Sequence, residues 1–172
     1  MISDNLQLFE VHFKPESPSK YPPIIFVPGW GSFIDSWKIV LKEMTKFFEI
    51  FYIETREKRS AEHSPEQSIS IEEIGSDLAR IVKIKDLEKS KFIVLGSSMG
   101  ATAIIDSMLK SSLKPSLSVL IGPNLEYRIP KIWIFIIKLL PASLYKLIKP
   151  MAKLYMKKKY IDMNSDPEQF TK

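Results

Sequence analysis

The sequence predicts an α/β fold: a doubly wound, mainly parallel sheet with flanking helices. Four short runs, 24–27, 50–53, 92–95 and 117–121, are almost wholly apolar, as strands covered on both faces are. The stretches between them carry apolar residues at helical spacing, the alternation that marks a parallel sheet. Two of the runs end in glycine-containing loops, 28–32 and 96–100, and ligands of such sheets gather at the carboxyl ends of strands.

Taken in order, residues 6–13 alternate roughly (Leu6, Leu8, Val11, Phe13) and predict an early strand, followed by a Pro/Ser/Lys-rich turn over 14–23. The first central strand is 24–27. After the loop Pro28-Gly29-Trp30-Gly31, Asp35 or Ser36 is expected to cap a helix whose apolar face is Trp37, Val40, Leu41, Met44 and Phe48. Residues 50–53 form the next strand and lead into a charged loop. Ser70-Ile71-Glu72-Glu73 reads as a capping box opening a helix through about Ile84. A strand at 92–95, a helix at 101–113 and a strand at 117–121 complete the series.

At 172 residues the chain accommodates one domain with an appendage, and its 45% hydrophobic and 26% charged residues are ordinary for a globular protein. It has no cysteine, which excludes a disulfide framework, a thiolate metal site and a cysteine nucleophile. Residues 1–13 lack the basic start and apolar run of a signal peptide. No stretch approaches the roughly 18–20 apolar residues of a spanning helix; the longest, 132–140, contains Lys138 and stops at Pro141. A cytoplasmic protein is the expectation. The net charge of +5 is unevenly spread: residues 127–161 hold nine bases and no acid, leaving 16 bases against 20 acids elsewhere. This divides the chain into a core at 1–125 and a basic amphipathic helical segment with a polar tail at 126–172.

The most specific local signal is Gly96-Ser97-Ser98-Met99-Gly100, set between a strand and a helix. A serine on so tight a turn needs small residues two positions either side, because the backbone passes close to itself; Gly96 and Gly100 supply that clearance. The turn lifts the Ser98 hydroxyl clear of the sheet edge. It leaves the Met99 N–H directed at whatever the hydroxyl attacks, half of an oxyanion hole. A dinucleotide reading of Gly29-x-Gly31 fails because Ile34 stands where a third glycine belongs, and no Gly-Lys-Ser/Thr occurs. No cofactor and no metal are expected.

With these residues in place, roughly 5–125 resembles the N-terminal two-thirds of an α/β-hydrolase-fold protein. The resemblance implies that the loop bearing Gly29 and Gly31 supplies the second oxyanion donor, the Trp30 N–H. The histidine usual before that glycine is Pro28 here. Where family members often carry Asp-x-Arg-Gly-x-Gly after the next strand, this chain has Glu54-Thr55-Arg56-Glu57-Lys58-Arg59. It further implies acyl transfer through Ser98, with an acid and then a histidine following in the chain. The only histidines, His12 and His63, precede Ser98. His12 reads as an ordinary residue of the first strand, His63 as a candidate base in the loop 61–64. Asp106 reads as solvent-facing, and Asp162 and Asp166 lie in the polar tail. The expectation is a serine hydrolase of carboxylic ester or related acyl bonds, interrupted before its acid and base and weakly active or inactive as encoded. Its strand 117–121 is expected to be an unprotected edge.

The basic segment has three readings: a helical lid over an apolar acyl substrate, plain packing with solvated lysines, or peripheral attachment to an anionic membrane surface. Partners are accordingly a small ester or acyl substrate, a complementing C-terminal fragment, or such a membrane. Alternatively the chain is a non-catalytic fragment that binds a membrane or partner chain. Nucleic acid is not expected, since no recognised motif accompanies the lysines.

Overall fold

A computed structural model of the chain describes residues 6–64, 66–110, 112–124 and 150. Apart from Pro150 these belong to the first of two units, Met1–Leu125 and Glu126–Lys172. The lid, packing and membrane readings of the basic segment fall outside the described residues.

The central sheet has five strands in the order β2-β4-β3-β6-β7: β2 Glu10–Phe13, β3 Ile24–Val27, β4 Ile50–Ile53, β6 Ile93–Ser97 and β7 Leu117–Ile121. β3 runs parallel to β4 and β6, and β6 parallel to β7, while β2 is antiparallel to β4. The expected early strand is two strands. β1 (Leu6–Gln7) leaves the main sheet and pairs with β5 (Glu62–His63), and only Glu10–Phe13 joins the edge.

Alternation along the buried strands feeds two cores. Ile25, Val27, Phe51, Ile53 and Val94 face one side, covered by α2 (Ile71–Ile84) and α3 (Met99–Leu109). Ile24, Phe26, Ile50, Tyr52, Ile93 and Leu95 face the other, with Leu41 of α1 (Lys38–Thr45). Strands between two helical layers must be apolar throughout, which is why they read as unbroken runs. Each fully buried Leu or Ile here contributes roughly 1.5–3 kcal/mol.

The N-cap half of the expected capping box at α2 is present: the Ser70 side chain accepts the Glu73 N–H at 3.2 Å. The helix after β3 departs from expectation. It opens as a 3-10 turn, Ile34–Trp37, preceded by Phe33, so neither Asp35 nor Ser36 is its N-cap. Val40 is exposed, whereas Ile34, Trp37, Met44 and Phe48 pack with Leu41. α3 starts at Met99 and ends at Leu109; Leu113 is buried beyond it. Among the described residues β7 ends the sheet, and Leu117, Val119 and Ile121 are exposed.

Candidate active site

Residues 96–100 leave β6 and enter α3 in one turn that drives Ser98 to φ 48°, ψ −116°. Such a conformation costs a non-glycine residue about 1–3 kcal/mol and persists only where its surroundings impose it. Here they do. The Ser98 N–H donates to Ile121 O at 2.8 Å, tying the turn to the end of β7, and the Ser98 carbonyl accepts the Thr102 N–H at 3.0 Å. A methyl on Gly96 would lie 2.6 Å from Ile104 Cδ1 and 2.7 Å from Ala101 Cα; on Gly100 it would lie 2.4 Å from Val27 O and 2.6 Å from Pro28 O. The first turn of α3 thus rests on the carboxyl end of β3. Met99 opens α3, so its N–H has no intrahelical acceptor.

The loop after β3 lies against this turn. Ser32 N–H donates to Gly29 O at 3.1 Å, and Gly31 alone of the four residues has positive φ, 71°. This is a type II turn, whose third position favours glycine. Its closing bond uses the Ser32 N–H and leaves the Trp30 N–H out. The Trp30 indole is 77% exposed and does not serve as packing. A Cβ on Gly29 would sit 3.1 Å from Ser98 Cβ and 3.2 Å from Ser97 O, so this loop and the Ser98 turn are in contact.

The loop after β4 folds its charges inward. Arg56 Nε and Nη2 each donate to an Asp77 carboxylate oxygen at 2.7 Å, and Nη1 donates to Ser68 O at 2.8 Å. Both partners are nearly fully buried, 5% and 2% exposed. The hydrogen bond to Asp77 holds the Arg56 pKa above its ordinary value. Lys58 is also buried, and its Nζ donates to Gly29 O and Ser32 O, both at 2.8 Å. Burial pushes its pKa down, with Glu57 and Glu54 acting in the opposite sense. Glu54 accepts a hydrogen bond from Ser60.

Neither Lys58 nor Asp77 stands out from motif reasoning. Asp77 had a readable signal, since it falls three residues after Ile74 and four before Ile81 in the apolar stripe of α2. An acid in such a stripe asks for a buried cation. The histidines are not brought to Ser98 by anything described. His12 sits on β2, two strands removed from β6, with Nε2 2.7 Å from Glu49 Oε1 and its ring stacked on Phe51. The His63 backbone pairs with Leu6 in the small sheet; its side chain lies outside the description, as do Asp162 and Asp166. Asp106 is paired with Lys110 at 2.8 Å. Among the described residues the Ser98 hydroxyl makes no hydrogen bond.

Concavities among the described residues lie elsewhere: one of about 600 Å³ beside Lys14, Lys42 and Lys46, one of about 460 Å³ bordered by Phe13, Ile34 and Leu41, and one of about 330 Å³ beside Arg56, Ser68 and Glu73. Among the described residues no cluster of three His, Cys, Asp or Glu side chains could hold a metal ion, and no helix is long and apolar enough to cross a membrane.

No family model and no curated protein matches the sequence. Solved structures do. An alpha/beta hydrolase fold protein from Burkholderia ambifaria superposes with a TM-score of 0.69 at 12% identity, over 92% of this chain and 57% of its own. The N-formylmaleamic acid deformylase of Pseudomonas putida gives 0.62 at 20% identity, over 92% and 59%. A thermophilic esterase from Thermogutta terrifontis gives 0.60 at 15% identity, over 90% and 53%. The chain therefore spans little more than half the length of these structures. With the strand order and the β6–α3 turn, the likeness establishes that this chain has the α/β-hydrolase fold.

Proposed function

We propose that Ser98 is the nucleophile of a hydrolase acting on a carboxylic ester or related acyl bond of a small, apolar substrate. The observation that carries this reading is the strained backbone of Ser98 at the β6–α3 junction, with the Gly29–Ser32 turn against it. A serine is held at such a cost where its hydroxyl must project from the sheet. In the reaction, Ser98 Oγ attacks the acyl carbon as a base takes its proton, and the developing oxyanion accepts from the Met99 and Trp30 N–H groups. The tetrahedral adduct collapses as the leaving group departs with a proton; water then attacks acyl-Ser98, the acyl group leaves as the carboxylic acid and a proton returns to Ser98 Oγ. The class of reaction is supported by two structural neighbours, an esterase and a deformylase.

The reading requires a base, and no described side chain contacts Ser98 in that role. Oxyanion donors and binding alone leave roughly 10³- to 10⁴-fold catalysis over water when triad members are removed. A fluorophosphonate probe tests activation directly. Wild-type protein is expected to label and Ser98→Ala is not. Failure of both to label refutes an activated serine in this chain.

A further inference from the structure

We infer that Lys58 is a positioning residue for the oxyanion loop: its buried ammonium clasps both ends of the Gly29–Ser32 turn and thereby sets the direction of the Trp30 N–H. The inference rests on the reading of Trp30 as an oxyanion donor, but the clasp itself is a matter of geometry. Lys58 Nζ donates to Gly29 O and to Ser32 O, the first and last carbonyls of the turn, at 2.8 Å each. Its remaining side faces Glu57 Oε1 at 3.7 Å, and the Phe33 ring lies 5.8 Å from it on the loop it holds. Lys58 is itself anchored, since its N–H donates to Thr55 O at 2.9 Å and its carbonyl accepts from Ala61 N–H at 3.1 Å.

A trans peptide unit is rigid and planar, with C=O and N–H pointing in opposite directions. The Gly29–Trp30 peptide is trans. Holding the Gly29 carbonyl on the ammonium therefore points the Trp30 N–H away from Lys58. A cation on the carbonyl oxygen also polarises the peptide and makes its N–H a stronger donor. Without Lys58 the Gly29 carbonyl keeps only its closing bond from the Ser32 N–H, so the Gly29–Trp30 peptide is held by one hydrogen bond in place of two. Burying an ammonium is unfavourable, and the lowered pKa of Lys58 records that penalty. The loop's charged sequence thus takes over a task, holding its neighbour's backbone, that bare glycines cannot perform.

The full chain, ¹⁵N-labelled, is compared with Lys58→Met, which keeps the stem and removes the donors, and Lys58→Arg, which keeps the charge. In Lys58→Met the Trp30 backbone amide resonance is expected to shift and broaden while those of Gly96 and Met99 stay in place; Lys58→Arg restores it in part. Fluorophosphonate labelling of Ser98 should slow by about 100-fold in Lys58→Met, the order that a misplacement of about 1 Å costs. An unaltered Trp30 amide in Lys58→Met overturns the inference whatever the labelling shows. If wild type does not label, the serine reading fails and the amide comparison alone decides the clasp. If Lys58→Met does not fold, the wild-type Lys58 Nζ protons decide: protection from exchange relative to exposed lysines is expected, and its absence overturns the clasp.

Discussion

The turn at 96–100 and the loop at 54–60 both follow central strands, yet they are held by opposite means. The first is shaped by missing side chains: Gly96 lets Ala101 and Ile104 of α3 close on the end of β6, and Gly100 lets α3 close on the Val27 and Pro28 carbonyls. The second is shaped by long charged side chains turned inward, Arg56 onto Asp77 and Lys58 onto the neighbouring turn. Steric clearance is a local requirement that any nearby atom enforces, and it is indifferent to salt and pH. A buried ionic network needs a partner in each position, and one lost partner leaves an uncompensated charge. The two regions should therefore fail differently.

The largest effect should follow from breaking the charged loop. Asp77→Ala leaves the Arg56 guanidinium buried without its bidentate acceptor and should destabilise by about 3–5 kcal/mol in urea titration. Combining Arg56→Met with Asp77→Leu should recover most of that loss, because two well-packed apolar residues replace a desolvated pair. If the single change costs under about 1 kcal/mol, the loop is held by something else. Gly100→Ala comes next, at about 1–3 kcal/mol, since its methyl meets backbone oxygens that cannot rotate away; this loss should be the same in low and high salt. The smallest effect concerns Tyr52, whose hydroxyl is buried without a hydrogen-bond partner among the described residues and whose pKa is pushed up by burial and, secondarily, by Glu54. A raised folded pKa contributes stability below the ordinary phenol pKa of about 10 that is lost as pH rises beyond it. Tyr52→Phe should gain about 1 kcal/mol at pH 7 and a larger margin over wild type at pH 11. Lys58, with its lowered pKa, titrates with the opposite sign but is common to both proteins, so the difference isolates Tyr52.

Much of the fold was legible from the chain. Residues Ile24–Val27 and Ile50–Ile53 read as buried strands because both their faces lie under helices, so apolarity is continuous. The N-cap at Ser70 was legible because its bond spans only three residues. The start of the helix after β3 is not legible in the chain, because a 3-10 turn follows Phe33 and Asp35 does not cap. The division of the first strand is not legible locally, since Leu6–Gln7 pairs with Glu62–His63 far along the chain. The position of Ser98 between strand and helix was visible; the contact of Gly29 with it was not, since nothing local specifies which loops meet.

Local order alone was enough for the parallel α/β architecture and the glycine-flanked serine, because period, capping and clearance act over a few residues. Tertiary structure decided which charges go inside. Glu54, Arg56 and Lys58 read only as a charged loop in the chain, and the approach of α2 and the Gly29–Ser32 turn supplies Asp77 to Arg56 and two carbonyls to Lys58. A charge is buried only where distant groups repay its desolvation, and those groups are assembled by the fold.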